Sequence, residues 1–342
     1  MEAIFWLAVI AIIYQIFKRA PLFTGRSDDN RKKAEDGADN NTGEIADRTG
    51  RKKTNPFSGG SGSQEDPYLV SSFKQLDKIR YYRDSHFLQT ANLNFSKYKQ
   101  EQDWQPIGNE QKQFTGSFAG NGHKIFNLSI NRPDKMYIGL FGFLAPGAEV
   151  SNVILRNAVV EGDMFVGILA GWNNGSIYRC HARGEITAFR NAGLLAGNNR
   201  GNIEESFTEG EIYAVRNSGG FVGWNHGSIK NCFSDIKVVG NKEAGGFAGS
   251  NYGDINCCYA VGEVQGDKRS GDFVGWNLGN ARESFAVADE AHYRLKQRRS
   301  RQGKEQFSGW DFTSIWRTRK STGLPVLQWY AGGGSSQNKT KT

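Results

Sequence analysis

The chain has 342 residues, of which 43 are glycine and only 7 proline, and its formal net charge is +8. Glycine-rich, proline-poor chains with many aromatic and β-branched residues are typical of short strands joined by tight turns. The 43 basic and 35 acidic residues are mixed along the chain, which argues against a nucleic-acid-binding protein, since such proteins cluster basic residues on one face. The four cysteines form no Cys-x-x-Cys pair, so neither a zinc site nor a disulfide framework is expected.

An uncharged apolar run occupies residues 3–17. It is shorter than the roughly 20 residues of a typical spanning helix, but Lys18 and Arg19 stand where a signal-peptide cleavage site needs small residues. Segment 1–23 is therefore predicted to be a single-pass membrane-anchor helix, with a cleaved signal and a buried core helix as alternatives. The nearby lysines and arginines all follow the run, so the positive-inside rule favours a cytoplasmic location for the rest of the chain.

A polar stretch without apolar periodicity follows at residues 24–56. Such a segment cannot bury enough apolar surface to fold, so it is predicted to be a flexible linker. Basic residues beside the apolar run are candidates for contact with anionic lipid head groups, and the alternative is that they are simply solvated. These residues are Lys18, Arg19, Arg31, Lys32 and Lys33.

A repeat of 26 residues organises the middle of the chain. Five segments align without gaps and follow the pattern Gly-x-Asn-x-Gly-x-Ile closely; they begin at Gly171, Gly197, Gly223, Gly249 and Gly275. Apolar residues recur at every second position within a unit, as strands with one buried face require, and a constant period implies stacking in one register. The sequence therefore predicts an all-β protein, a parallel β-helix or β-solenoid with about seven 26-residue coils, capped at both ends.

Several columns of the repeat carry structural predictions. The asparagines of one column are expected to form a ladder of hydrogen bonds along the axis; they are Asn173, Asn199, Asn225, Asn251 and Asn277. The glycines are expected to form corners at positive φ. Cys180, Cys232 and Cys258 share a column with serines and are expected in the core, whereas Cys257, in the next column, is expected to face outwards.

The segments around the coils are assigned from the same patterns. Residues 57–135 are predicted to form the N-terminal cap and first coil, with a short helix from Ser72 to Arg80. Residues 136–288 form the coils, residues 289–330 a C-terminal cap and residues 331–342 a disordered tail. An open coil end would expose unpaired backbone groups, so four aromatic residues are expected to cover the last coil: Trp310, Phe312, Trp316 and Trp329.

The Gly-x-Asn-x-Gly-x-Ile units resemble the GLUG-repeat β-solenoid family of bacterial surface proteins, a repeat shared with non-catalytic regions of IgA-peptidase-like proteins. Flanking motifs are similar too: residues 57–68, 104–108, 114–125, 139–142, 309–312 and 325–329. The resemblance covers residues 57–330 and implies a β-helix-like solenoid that is usually exported. It thus favours an extracytoplasmic solenoid, whereas the charge bias favours the cytoplasm, and both alternatives stay open.

No catalytic residue, metal ligand or cofactor is predicted. None of the five histidines begins the His-Glu-x-x-His motif expected of peptidases that share the repeat, and no P-loop or Gly-x-Ser-x-Gly elbow is present. A column of Glu185, Glu211 and Glu263, interrupted by Lys237, is interpreted as a solvated face; the alternatives are a divalent-cation site and a glycan-cleaving pair. The basic run at residues 294–304 is interpreted as a solvated loop or as a contact for anionic lipid or an acidic partner.

Three tryptophans in one column are the candidate ligand-binding residues. Trp172, Trp224 and Trp276 alternate with Asn198 and Ser250. If the neighbouring asparagines point inwards, the tryptophans point outwards, about 9.6 Å apart on every second coil. Exposed rings in line suit a sugar polymer or a partner protein; the alternative is that each ring covers the smaller residue of the next coil. No basic stripe is expected beside the column, so nucleic acid is not an expected partner.

Two functional hypotheses follow from these features. The first is a membrane-tethered, non-catalytic solenoid that binds a glycan or protein partner at the bacterial cell envelope, as an adhesin does. The second is a membrane-attached scaffold whose solenoids stack or polymerise on the cytoplasmic face of the membrane. A glycan-active enzyme ranks third, because no catalytic motif supports it.

Overall fold

The computed structural model describes residues 55–97, 104–287 and 307–330. Internal contacts separate residues 1–56 from residues 57–342, and the fold is that of the second unit. The predicted membrane anchor, its lipid-contact residues, the basic run and the C-terminal tail all lie outside the described residues. Within the described ranges, no helix is long and apolar enough to cross a bilayer.

The described chain consists of short strands and one short α-helix. The first elements are β1 Tyr68–Val70, α1 Phe73–Lys78, β2 His86–Gln89, β3 Leu93–Asn94, β4 Ser117–Ala119, β5 Lys124–Phe126, β6 Ser129–Ile138, β7 Phe141–Leu144, β8 Glu149–Ser151 and β9 Ile154–Val166. The central coils contain β10 Ala170–Asn173, β11 Ser176–Tyr178, β12 His181–Gly193, β13 Ala196–Asn199, β14 Asn202–Glu204, β15 Phe207–Gly219, β16 Val222–Asn225, β17 Ser228–Lys230 and β18 Phe233–Gly245. The last elements are β19 Ala248–Asn251, β20 Asp254–Asn256, β21 Tyr259–Gln265, β22 Val274–Asn277, β23 Asn280–Arg282, β24 Phe285–Val287, β25 Trp316–Thr318 and β26 Pro325–Leu327.

Three parallel sheets form the sides of a β-solenoid, which confirms the predicted fold class. Sheet A has the order β1-β2-β4-β8-β11-β14-β17-β20-β23, sheet B the order β24-β21-β18-β15-β12-β9-β5-β3, and sheet C the order β22-β19-β16-β13-β10-β7. Strand β6 also pairs with β9, while β25 and β26 form a separate antiparallel pair. Each regular coil contributes one strand to each sheet.

The coil period is regular only in the later part of the solenoid. From β11 onwards, partners on adjacent strands of sheet A are 26 positions apart, as with Ile177 and Ile203. The earlier spacings are unequal, since Tyr68 pairs with Phe87, His86 with Ser117, and Ser117 with Glu149. Sheet C has only six strands. The solenoid therefore has about six three-sided turns, fewer than the seven equal coils expected from the sequence.

Alternate side chains of each strand fill one continuous core. The inward column of sheet A is made of Ile177, Ile203, Ile229 and Ile255, all at most 1% exposed. On the opposite side Phe221 and Phe247 stack at 4.7 Å. The three cysteines Cys180, Cys232 and Cys258 are completely buried, as expected.

Asparagine side chains hydrogen-bond along the axis at one inner corner. The Nδ2 of each asparagine donates to the Oδ1 of the next at 2.8 Å; the four bonds join Asn173, Asn199, Asn225, Asn251 and Asn277 in order. The first four side chains are completely buried, whereas Asn277, at the end of the solenoid, is exposed. The ladder satisfies buried amides that would otherwise destabilise the core.

The repeat glycines serve close approach between coils rather than corners. Left-handed φ is found instead at non-glycine columns, such as Arg179 and Glu205 with φ 50 and 46. A Cβ on Gly201 would lie 1.9 Å from the Gly175 carbonyl oxygen, and one on Gly227 only 2.1 Å from that of Gly201. The expectation of glycine corners was therefore wrong at these positions, where side chains are excluded by the coil stacked beneath.

The N-terminal end of the solenoid is closed by the segment before the regular coils. Helix α1 begins after Ser72, whose hydroxyl accepts from Gln75 N–H, and a 3₁₀ turn follows it. Leu76 and Ile79 from these turns are completely buried in the core. The Trp104 ring packs edge-on against Phe73 at 5.6 Å. The helix and the 3₁₀ turn lie at the segment that was predicted to be helical, Ser72 to Arg80.

The C-terminal segment, residues 307–330, packs along the side of the solenoid, including Phe285 of the last coil, and not over the open end of that coil as expected. It packs against the outer side of sheet B over a column with one ring per coil: His181, Phe207, Phe233, Tyr259 and Phe285. Successive rings stack at interplanar angles of 9° to 20°. This outward-facing apolar column would otherwise meet water, which explains why the C-terminal tryptophans pack along the side. Phe312 remains 38% exposed.

Indole N–H groups fix the C-terminal segment to three coils of the solenoid, two of which are adjacent. The donor–acceptor pairs are Trp310 to the Glu283 carbonyl at 3.0 Å, Trp316 to Asn231 Oδ1 at 3.3 Å and Trp329 to the Glu205 carbonyl at 2.8 Å. All three acceptors belong to a corner column with left-handed φ. The segment therefore runs back from the last coil towards the middle of the solenoid.

Two consequences of this packing concern the coil end and one cysteine. Ala281, in the inward column of sheet A, is exposed on the last coil. Cys257 faces outwards from its coil but is only 5% exposed, because it packs with the aromatic residues of the C-terminal segment. Cys257 therefore has the predicted outward direction, but the C-terminal segment covers its thiol. Burial, followed by the Glu283 carboxylate, raises the pKa of the Cys257 thiol to about 12.

Candidate binding face on sheet C

The outer face of sheet C carries the tryptophan column. In register along the axis this column reads Phe143, Trp172, Asn198, Trp224, Ser250 and Trp276. The three tryptophans are half-buried, while Asn198 and Ser250 are 0% and 2% exposed. The column therefore alternates half-exposed indole rings with smaller residues that are buried.

Trp172 belongs to a packed aromatic group at the N-terminal end of the column. Its ring stacks on Phe143 at 5.5 Å with an interplanar angle of 12° and meets Phe165 edge-on at 4.8 Å. Tyr137 stacks on Phe165 at 5.3 Å. These contacts hold Trp172 in one orientation.

The other two tryptophans are joined by a histidine and a tyrosine. Trp224 meets His226 edge-on at 4.5 Å, and His226 stacks on Tyr252 at 4.9 Å with an angle of 7°. Tyr252 in turn lies edge-on to Trp276 at 5.9 Å. Tyr252 is 37% exposed. The result is a continuous aromatic surface across three coils, held on a hydrogen-bonded sheet.

Two arginines lie over rings of the column. The Arg200 guanidinium is 5.3 Å from the Trp172 ring centroid, and that of Arg269 is 4.1 Å from the Trp276 centroid. Both arginines are exposed. A guanidinium over an indole face is attracted by the ring quadrupole, so these cations are held at the outer surface of sheet C.

A second column, which we call the basic ladder, lies next to the tryptophan column. It consists of Arg190, Arg216, Lys242 and Lys268 on four consecutive coils. A corner column with left-handed φ follows the basic ladder in the chain; it consists of Asn191, Asn217, Glu243 and Arg269. This corner column contacts the tryptophan column, since Ser250 Oγ donates a hydrogen bond to Asn217 Oδ1 at 3.1 Å. The expectation that no basic stripe accompanies the tryptophans was therefore wrong.

The basic ladder is only partly neutralised by nearby carboxylates. Glu243 Oε2 lies 4.0 Å from Arg216 Nε, and Glu243 Oε1 lies 3.4 Å from Arg269. Asp163 is close enough to Arg190 for the arginine charge to lower the pKa of Asp163, but burial has the larger effect and raises that pKa overall. The 26-residue spacing of the ladder was visible in the sequence, but its position beside the tryptophans depends on how the chain turns at the corner.

The acidic column on sheet B behaves as a row of surface side chains. Glu185 and Glu211 are register partners, and Lys237 and Glu263 follow on the next coils. The Tyr213 hydroxyl donates to Glu211 at 2.5 Å, and this hydrogen bond raises the pKa of Tyr213 to about 12. No group of three or more His, Cys, Asp or Glu side chains in the described residues is arranged to hold a metal ion.

His181 has a structural environment in the covered column of sheet B. It is completely buried, with Nε2 at 3.0 Å from Glu209 Oε2. Burial lowers the pKa of His181 to about 4. Tyr330 closes the group, since its ring lies edge-on to His181 at 5.2 Å and its hydroxyl contacts Arg156. A ligand would have to displace the C-terminal segment to reach this histidine.

Comparisons with known proteins find relatives for part of the chain, one of which is named as a membrane protein. No family model matches the chain. A protein of Evansella cellulosilytica, provisionally named a Gly-rich membrane protein, is 36% identical over 140 residues, and Halomucin of Haloquadratum walsbyi is 34% identical over 139 residues. The matches cover 39% and 37% of this chain but only 16% and 2% of those relatives.

A solved structure shares the fold over most of the chain. It is the crystal structure of a protein from Bacteroides ovatus that is provisionally named an immunoglobulin A1 protease. The TM-score is 0.56 at 18% identity, with 80% of this chain and 95% of that chain covered. At this level of identity the similarity shows a common architecture, and function has to be argued from the site itself.

Proposed function

We propose that the protein is a non-catalytic β-solenoid of the cell envelope that binds a glycan or a protein partner on the outer face of sheet C. One observation carries the proposal: Trp224, His226, Tyr252 and Trp276 form a continuous, partly exposed aromatic surface. Aromatic surfaces of this kind on a rigid scaffold often mark an interaction site. The covered column of sheet B offers no comparable surface.

The cell-envelope part of the proposal rests on two further observations. The Evansella relative is named as a membrane protein, and the apolar run at residues 3–17 has the composition of a membrane anchor. In this proposal residues 1–23 tether the solenoid through the linker at residues 24–56, with the basic residues after the run at the lipid head groups. Protease added to intact cells tests the side, because an outward solenoid is cleaved and a cytoplasmic one is spared.

The binding proposal is tested with a double substitution on the aromatic surface. Trp224→Ala with Trp276→Ala removes two of the three half-exposed indoles, and pull-down on cell-wall glycans and envelope proteins should lose the partner of the wild-type chain. Tyr81→Ala is the matched control, because Tyr81 is 72% exposed and lies outside sheet C. Binding by the double variant equal to that of wild type, with both proteins folded, would contradict the proposal.

A second candidate function is a scaffold assembled end to end, and the exposed last coil favours it. Ala281 and Asn277 occupy columns that are buried in the preceding coils but are themselves exposed. An uncovered strand edge is a template for pairing with another chain. Sedimentation of the full chain at increasing concentration distinguishes the two functions, since a scaffold forms polymers without any added ligand and a binding module stays a single species.

A further inference from the structure

We infer that the ligand of the sheet C face is a linear polysaccharide bearing carboxylate groups, which lies along the solenoid axis over the tryptophan column and the basic ladder. The inference rests on the proposed binding function and adds to it the chemical class of the ligand. It depends on the two neighbouring columns taken together, since neither aromatic rings nor cations alone would select such a polymer.

The basic ladder supplies the electrostatic part of the argument. Its four cations stand on consecutive parallel strands, so their backbone positions are about 4.8 Å apart. Like charges on directly paired strand positions destabilise a sheet. Glu243 contacts Arg216, and Asp163 interacts with Arg190. Lys242 and Lys268 lie further along the row, where a polyanion would relieve the remaining repulsion.

The arginines on the tryptophan rings supply the chemical selectivity. Arg200 and Arg269 lie over Trp172 and Trp276, so one face of each ring already has a cation against it. The Arg269 guanidinium also contacts Glu243 Oε1 at 3.4 Å. Because a guanidinium has five N–H donors, each of the two arginines can still direct N–H groups to a ligand carboxylate in a two-pronged geometry. A neutral sugar or a nucleic-acid base would instead need open ring faces for stacking. The arrangement therefore favours an acidic sugar.

The shape of the face favours a long polymer over a small ligand. The tryptophan column extends from Trp172 to Trp276 and the ladder from Arg190 to Lys268, and both follow the strand stacking direction. A strip of repeating contacts offers the same chemistry at each coil. A linear polymer with regularly spaced carboxylates can occupy several coils at once, and linked contacts strengthen one another through effective concentration.

Alginate, a linear polyuronate, is the probe, and alginate with its carboxylates esterified is the matched neutral polymer. The full chain should bind alginate, bind the ester at least about tenfold more weakly, and lose alginate affinity as salt rises. Lys242→Gln with Lys268→Gln should weaken alginate binding about tenfold. Lys230→Gln with Lys320→Gln removes the same charge from sheet A and the C-terminal segment and should leave alginate binding within about twofold of wild type.

The outcomes separate this inference from the binding proposal. Equal binding of alginate and its ester, abolished by Trp224→Ala with Trp276→Ala, would overturn the inference and keep the binding function. Failure to bind either polymer overturns the inference, as does an equal loss of affinity in the two lysine variants. Single-stranded DNA and phosphatidylglycerol vesicles are measured in parallel, and tighter binding of either than of alginate, with the same dependence on Lys242 and Lys268, assigns the face to that polyanion instead.

Discussion

Two aromatic columns run along the same solenoid and differ in their exposure to solvent. The column on sheet B, from His181 to Phe285, is covered by the C-terminal segment, and Phe207 and Tyr259 are each only 2% exposed. The column on sheet C, from Trp172 to Trp276, has no described segment lying across it and stays half-exposed. Both arise because a constant period places the same position of each coil in line.

The difference shows how a repeat protein divides apolar surface between stability and recognition. The covered rings are stacked nearly parallel, at 9° between Phe207 and Phe233, and are joined to the C-terminal tryptophans. The open rings alternate with small residues and are accompanied by arginines, lysines, a histidine and a tyrosine. An apolar row that lies under its own chain stabilises the fold, whereas an amphipathic row at the surface is suited to a partner.

The largest expected effect separates the two columns by stability. Trp316 is completely buried and lies 4.7 Å from Trp310 between ring centroids. Trp316→Ala should lower the free energy of unfolding by about 3–5 kcal/mol, because it leaves a cavity over the covered column. Trp224→Ala on the open column should lower it by only about 1 kcal/mol. Denaturant unfolding measures both, and equal losses would break the distinction.

The second largest expected effect is a loss of stability in acid, caused by groups in the covered column. The pKa of His181 falls from 6.5 to about 4 on folding because the side chain is buried, so the unfolded chain takes up a proton that the folded chain refuses. This contribution is complete above pH 6.5 and is lost as pH falls, by about 3 kcal/mol at pH 4. The contribution of Glu209, whose pKa His181 and Arg156 lower against the effect of burial, is also lost on the acid side.

A pair of histidine variants tests the acid effect. His181→Phe places a fourth phenylalanine in the stack and should flatten the dependence of the unfolding midpoint on pH between 6.5 and 4. His123→Gln removes a histidine that lies outside the covered column and should keep the wild-type slope. A His181→Phe protein with an unchanged slope would show that another group titrates.

The asparagine ladder should show a smaller effect that depends on position. Asn225 accepts from Asn199 and donates to Asn251, so Asn225→Ala leaves two buried amides short of partners and should cost about 2 kcal/mol. Asn277 is exposed at the end of the ladder, and Asn277→Ala should cost less than about 1 kcal/mol. Thermal unfolding of the two variants side by side checks this order.

Cys257 should show almost no reaction in the folded protein. Its thiol is buried beneath the C-terminal segment, and its pKa of about 12 leaves little thiolate at pH 8. Alkylation with iodoacetamide followed by mass spectrometry should label Cys257 slowly in wild type and faster in Trp316→Ala. Rapid labelling of the wild-type thiol would mean that the C-terminal segment does not hold its position over sheet B.

Much of the fold could be predicted because a constant repeat period determines how consecutive coils align. The spacing of Asn173, Asn199 and the later asparagines predicts parallel stacking, and alternation of apolar residues predicts which faces are inside. The role of the glycines was harder to predict. The sequence does not show that the left-handed corner is occupied by a non-glycine residue such as Arg179. It also does not show that a glycine such as Gly201 is needed because the next coil lies too close for a side chain.

The candidate site was predictable only in part, for a related reason. The outward direction of Trp224 follows from strand alternation, but the neighbourhood of Lys242 and the tryptophans depends on the corner between sheets B and C. The packing of Trp316 on sheet B is a contact between distant parts of the chain, 85 positions apart for its bond to Asn231. Neither the 26-residue period nor the alternation of apolar residues indicates which side of the solenoid the C-terminal segment packs against.

Hydroxyl-radical footprinting of the individual tryptophans, read by mass spectrometry, tests the division between open and covered columns most directly. Trp224 and Trp276 should be oxidised rapidly and Trp316 slowly in the free protein, and alginate should slow oxidation of Trp224 and Trp276 while leaving Trp316 unchanged. Equal oxidation of the three tryptophans, or rapid oxidation of Trp316 beside protected Trp224 and Trp276, would contradict the assignment of sheet C as the open face.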